Sequence, residues 1–191
     1  MYINEPRLVL IKSWNEKANN ETDVIDKFMF RCVALSALCQ TWSALENPET
    51  VGEDDGYVIP KLFVKYYKNI KYFCEDNMIA CFRDFVNRKA PDGSAVIGKQ
   101  ESSRTDSNRL IKSANKLIDW LDTSRRPGPA ERLQKDVAVA FAVIVREVRN
   151  NLFHGNKGHK IDSDKVLIKN TEQLLSAFIT PIIADLDKRF N

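Results

Sequence analysis

The chain has 191 residues, of which 43% are hydrophobic and 29% charged, and its formal net charge is +3. That is material for one domain with a real core, and the charge is too mild to imply nucleic-acid binding unless basic residues cluster locally. Seven glycines and seven prolines are too few for a collagenous, low-complexity or turn-rich all-β chain.

The longest unbroken apolar run, Val137 to Val145, is far shorter than the roughly 20 residues of a membrane span. The segment MYINEPRLVLIKSW lacks the basic region, apolar stretch and small-residue cleavage site of a signal peptide. The expected location is therefore cytoplasmic, without membrane contact. The cysteines, Cys32, Cys39, Cys74 and Cys81, form two pairs with a spacing of seven. On a helix that spacing is roughly 10 Å of rise, too long for a shared zinc or a disulfide. They read as reduced, buried thiols acting as small hydrophobes, and no metal or cofactor is expected.

In chain order, the period is helical throughout. A first helix is expected after Pro6, with Leu8, Leu10, Ile11 and Trp14 apolar. A second starts near Thr22 or Asp23. It carries Ile25, Phe28, Met29, Cys32, Val33, Leu35, Cys39, Trp42 and Leu45 at spacings of three and four, and Asn47-Pro48 stops it. A loop around Gly52–Gly56 follows, with the acidic run Glu53-Asp54-Asp55 read as loop rather than metal site. Pro60 then suits a helix start. From Ile59 to Phe85 the pattern is regular, and Pro91-Asp92-Gly93 makes a turn.

Residues 87–105 show no period and read as one long loop with a short extended piece at Ala95–Ile97. Asp106 or Ser107 can cap a helix bearing Leu110, Ile111, Ala114, Leu117, Ile118 and Leu121. Pro129 opens another helix that runs to His154, with Gly155 as its left-handed terminator. The last helix covers roughly Asn170 to Arg189 and should kink at Pro181. The expectation is one all-α domain over residues 1–191, a bundle of five or six helices with the long loop at about 87–105.

Chemistry concentrates on the helix from Pro129 to His154. Its first half, VAVAFAVIV, is apolar all round, so it belongs at the centre of the bundle. Its second half turns abruptly to Arg146, Glu147, Arg149, Asn150, Asn151 and His154. A buried rod that ends in such groups holds them rigidly at a surface or partner. Asn150 and His154 share a face, whereas Arg149 and His154 are about 7.5 Å apart in rise and border one cleft.

Between Arg146 and Lys160 four basic residues, Arg146, Arg149, Lys157 and Lys160, stand against the single acid Glu147, and both histidines, His154 and His159, lie there. Arginine offers a fork for phosphate oxygens. Histidine moves protons near neutral pH. Cleavage of RNA without a metal needs a base for the 2′-hydroxyl, an acid for the 5′-oxygen leaving group and a cation for the phosphorane. On composition alone, the same residues also suit a helix cap and a solvated face.

The run Arg149-Asn150-Asn151-Leu152-Phe153-His154-Gly155 resembles the signature of the HEPN superfamily: Arg, a polar residue, three more residues, then His. Gly155 and Lys157 agree with many members. Residues Asp26 to Leu38 are similar to the aromatic-rich early helix of these domains, although Cys32 and Leu35-Ser36 replace the commoner Trp and Phe-Asn.

The resemblance implies a HEPN-like helical bundle that dimerises, with the motifs of two protomers facing each other across a composite cleft. Active members are metal-independent endoribonucleases, frequent in toxin–antitoxin systems, phage defence and RNA processing. By that likeness Arg149 would bind the scissile phosphate, His154 would be the acid or base, and Asn150 would orient the neighbouring groups. Arg146, Asn151, Lys157, His159 and Lys160 would contact the substrate, an RNA such as tRNA or mRNA. An antitoxin or activator protein would be a further partner.

Two layouts are open. Either His154 of each chain supplies acid and base, which the sequence favours, or His159 joins His154 within one chain. The alternative reading is a non-catalytic HEPN-like RNA- or protein-binding module. Tyr66-Tyr67 and Tyr72-Phe73 are read as packing rather than as base-stacking platforms. Arg125-Arg126 and Arg83, Arg88 and Lys89 are read as solvated helix ends.

Overall fold

The computed structural model describes residues 5–46, 51–52, 55–66, 112, 115–116, 119, 131–153 and 162–190. Five helices have defined bounds: α1 (Glu5–Asn20), α2 (Val24–Glu46), α3 (Asp55–Lys65), α4 (Glu131–Phe153) and α5 (Asp162–Phe190). No strand occurs among the described residues, and the architecture is an all-α bundle.

α1 lies along α2, α2 packs on α5, and α3 packs on α4. The corner between α1 and α2 is shaped by side-chain caps. Asp23 Oδ1 accepts from the backbone N–H groups of Ile25 (2.8 Å) and Asp26 (3.1 Å), satisfying donors that have no partner inside the helix. That places the start of α2 where the sequence suggested it. The turn before α3 uses Gly52 at φ +90°, a conformation in which a Cβ is costly.

Two starts differ from expectation. α3 begins at Asp55, so Pro60 lies inside it rather than at its opening, and Asp55 and Gly56, expected in the loop, belong to the helix. The helix forgoes one backbone bond at Pro60, since proline has no N–H to offer the carbonyl four residues back. α5 begins at Asp162, eight residues before Asn170, and continues through Pro181 to Phe190. Its first turns carry Val166 and Ile168, and Ile168 is buried, so the apolar face starts earlier than Leu174. Between α3 and α4, Lys112, Asn115, Lys116 and Asp119 are helical and exposed. Their spacing marks one polar face, as expected for the helix after Asp106. The expected loop at 87–105, Cys74, Cys81 and the tyrosine–phenylalanine pair at 72–73 lie outside the described residues.

Three phenylalanines tie α3, α4 and α5 together. Phe63 stacks on Phe178 at 4.1 Å between centroids and meets Phe141 at 5.2 Å, and Phe141 meets Phe178 edge-on at 6.3 Å. Around them lie Leu35, Leu38, Leu62, Ile144, Leu175 and Ile182, all buried. This cluster immobilises the middle of α4, the helix whose end carries the candidate chemistry. Cys32 and Cys39 are free and buried, in keeping with the reading of small hydrophobes. Leu10 and Val33 are exposed, although the helical spacing had put them with the core. They sit on the outer edges of α1 and α2, beside Trp14 and Phe30, whose rings meet at 5.7 Å under the Lys17 ammonium.

α2 is long and apolar enough to cross a membrane by length and composition, but 56% of its apolar window is buried in the fold. Its polar core position, Arg31, is ion-paired to Glu172 of α5. Those are properties of a helix at the centre of a bundle.

Where α2, α3 and α5 end, Glu46 accepts from Arg189 and from Trp42 Nε1 (3.3 Å), and Lys65 stands at 3.4 Å. Burial alone would raise the Glu46 pKa, but Arg189, Lys65 and the Trp42 N–H outweigh it and hold the carboxyl below its ordinary value. The neighbouring Tyr66 hydroxyl is buried with no hydrogen-bond partner among the described residues. Burial, reinforced by the Glu46 and Asp185 charges and opposed by Arg189, pushes its pKa up. Tyr66 packs at the edge of the core, which favours packing over base stacking for that position.

Candidate functional site

The site is built from the C-terminal half of α4. Ala138, Ala140 to Val145 and Val148 are buried, so the apolar body of the helix lies at the centre of the bundle as its sequence demands. Among the described residues of the apolar run, Val139, at 39% exposure, is the exception to burial on every side. Among the described side chains of α4, those not fully buried are Lys135, Val139, Arg146, Arg149, Asn150 and Leu152.

Helical geometry explains the pattern. At 100° per residue, Lys135, Val139, Arg146 and Asn150 fall within about 60° of arc, and Arg149 flanks them at about 60° from Arg146. Among its described side chains α4 thus has a partly open stripe, and the stripe carries Lys135, Arg146 and, at its flank, Arg149. Its buried side chains pack against α3 and α5.

Arg149 is half-buried, and its Nη2 donates to Asn150 Oδ1 at 3.4 Å, a long bond near the limit of the interaction. The contact brings together the arginine and the neighbouring amide singled out in the sequence. Arg146 is half-buried with its Nε shielded from solvent. Side chains held this way project from a fixed backbone, so their charge is offered along a defined direction. The helical bounds reach Phe153 and include Asn151. His154, Lys157, His159 and Lys160 lie outside the described residues, as does Gly155. Among the described residues, no three His, Cys, Asp or Glu side chains cluster closely enough to hold a metal ion.

A second polar constellation escaped the reading of the sequence. Arg31, 1% exposed, donates through Nε (3.1 Å) and Nη2 (3.0 Å) to Glu172 Oε1. Its Nη1 donates to the Asn15 carbonyl (3.3 Å) and to Asn15 Oδ1, and its Nη2 also donates to Asn19 Oδ1 (2.8 Å). All five guanidinium N–H groups are thereby used. The signal was in the sequence. Arg31 falls between Phe28 and Leu35 on the buried face of α2, and Glu172 between Ile168 and Leu175 on that of α5. Opposite charges at core positions of two helices point to a buried pair, because an unpaired buried charge is prohibitive.

Comparison with protein-family models, with characterised proteins and with solved structures gave no match to this chain.

Proposed function

We propose that the chain is a metal-independent endoribonuclease of HEPN type that works as a homodimer. The observation that carries this reading is the open stripe of α4: a helix buried along its body ends in half-buried Arg146, Arg149 and Asn150, directly before His154 in the sequence. The geometry suits a phosphate, because a guanidinium beside a fixed amide meets two oxygens at once.

In this mechanism Arg149 binds the scissile phosphate and stabilises the charge of the phosphorane. Asn150 holds the Arg149 fork in place. One His154 takes the 2′-hydroxyl proton while the His154 of a second copy protonates the 5′-oxygen as it leaves. The products are a 2′,3′-cyclic phosphate and a 5′-hydroxyl. Arg146, Asn151, Lys157, His159 and Lys160 steady the RNA backbone without reading its sequence. By the same resemblance the setting is a cytoplasmic toxin or phage-defence effector, restrained by an antitoxin or released by an activator.

The deciding experiment incubates the purified chain with total RNA or a tRNA pool in the presence of EDTA. It follows cleavage, end chemistry and oligomeric state for wild type and His154→Ala. Cleavage that survives EDTA, leaves cyclic phosphate ends and disappears in the variant, with helicity and dimer intact, supports the nuclease. A strict metal requirement, or RNA bound without being cut, overturns it; the second outcome identifies a binding module.

A further inference from the structure

A cavity of about 440 Å³ opens where α1, α2 and α5 meet, and among the described residues none of α4 lines it. Its floor is the Arg31–Glu172 pair. Oε1 of Glu172 takes both bonds from Arg31, and no described residue donates to Oε2. Glu172 lines the cavity, and Oε2 is not among the sealed, unpaired polar atoms, so it is reached from the cavity and can accept from a donor that enters it.

The wall supplies the opposite character. Lys27, half-buried, lines the cavity and makes no ion pair with a described carboxylate. Asn19 also lines it, and because its Oδ1 is committed to Arg31, its amide is left to donate. Ser176 and Gln173 add a hydroxyl and an amide, while the Thr180 hydroxyl is already spent on the Ser176 carbonyl at 2.8 Å. Ala177 and Pro181 form a small apolar part of the lining, leaving room above the polar floor.

We propose that this cavity binds a small zwitterion of the amino-acid kind. Its ammonium sits on Glu172 Oε2 and its carboxylate on Lys27 Nζ and the Asn19 amide. The charges select this class. A simple anion would meet the unused carboxylate oxygen, and a simple cation would face Lys27 and Arg31. A molecule carrying both groups pairs each with its opposite. The volume suits a ligand of this size and lies within the usual range of small-molecule sites. Because the residues it names lie on α1, α2 and α5, the proposal stands or falls independently of the nuclease reading.

The test is thermal shift and isothermal titration of the full chain with glycine, L-serine and L-glutamine, against ethylamine and acetate as half-ligands. At about 10 mM ligand, a dissociation constant in the millimolar range or below raises Tm measurably, by about 2 °C. The zwitterions should produce that rise and the half-ligands should not. Lys27→Met should weaken binding about tenfold, the loss of one partly exposed charge contact. Ala177→Phe should abolish binding by filling the cavity without touching the ion pair. Circular dichroism identifies variants that have kept their helices, and Lys27→Met, at a half-buried position, serves if Ala177→Phe does not fold. A Tm unmoved by every zwitterion, a half-ligand that binds as well as glycine, or binding unchanged in folded Lys27→Met overturns the proposal.

Discussion

Two arginines on two central helices have opposite fates. Arg31 of α2 is enclosed, and every donor it owns is spent on Glu172, Asn15 and Asn19. Arg149 of α4 is half-buried and reaches its neighbour Asn150 across 3.4 Å. The first holds α1, α2 and α5 in register. The second sits where a buried helix runs out of apolar sequence, on a partly open stripe of its described side chains. Residue type therefore says little about role. What separates the two is burial: Arg31 is sealed inside the fold, whereas Arg149 is reached by solvent.

That contrast can be broken by exchanging the outcomes of mutation. Arg149→Ala should reduce RNA cleavage by about 100-fold or more, the usual size of a lost transition-state contact, while Tm moves by no more than about 2 °C. Kinetics and a melting curve on the same preparation check both halves. A large fall in Tm with cleavage unchanged would make Arg149 a second structural arginine.

Arg31→Met should act the other way. Removing one partner from a buried pair leaves Glu172 charged and alone, at a cost of about 3–5 kcal/mol, read by urea denaturation. The double variant Arg31→Met/Glu172→Leu should recover most of that loss, because an apolar pair of similar volume replaces the ions without desolvation. Failure to recover would mean that the Asn15 and Asn19 bonds carry the register by themselves.

The smaller predictions concern how the helices carrying these arginines are held at their ends. Asp23→Ala should cost about 1 kcal/mol by uncapping α2. Gly52→Ala should cost a similar amount, about 1 kcal/mol, from its positive φ alone, since nothing lies within 4 Å of an added Cβ.

The least effect is expected in the pH profile. The Glu46 pKa is depressed in the folded state, so its contribution is present above the ordinary carboxylate range and is lost as pH falls through the folded value. Glu46→Gln should flatten the acid limb of a Tm-against-pH curve below about pH 5. Tyr66 is raised, so its contribution is present below the ordinary tyrosine value and disappears as pH climbs past it. Tyr66→Phe should remove that alkaline loss and leave neutral-pH stability equal or slightly higher, because the buried hydroxyl has no described partner.

Much of the bundle was legible before any coordinates. The start of α2 followed from a capping aspartate, its end from Asn47-Pro48, and the central place of α4 from a run with no polar face. Pro60 misled because a proline near a helix start is usually at its first turn, whereas here the helix tolerates one missing bond. The early start of α5 was hidden because polar residues separate Ile168 from Leu174, and two of them, Thr171 and Glu172, continue the buried face without being apolar. Of the candidate site, the sequence supplied every residue type and the helical register. It could not say which side of α4 its neighbours would leave open.

Local sequence determined what depends on neighbours along the chain: that the elements are helices, where most begin and end, and which residues ride together on one face. These follow from backbone sterics, capping and a period of 3.6 residues. Only the tertiary structure decided which polar groups would be consumed and which left over. Arg31 meets Glu172, 141 residues away along the chain, and the oxygen that pair leaves unused exists only because α1, α2 and α5 converge on it. Such pairings are set by packing between distant segments, and no local pattern encodes their geometry.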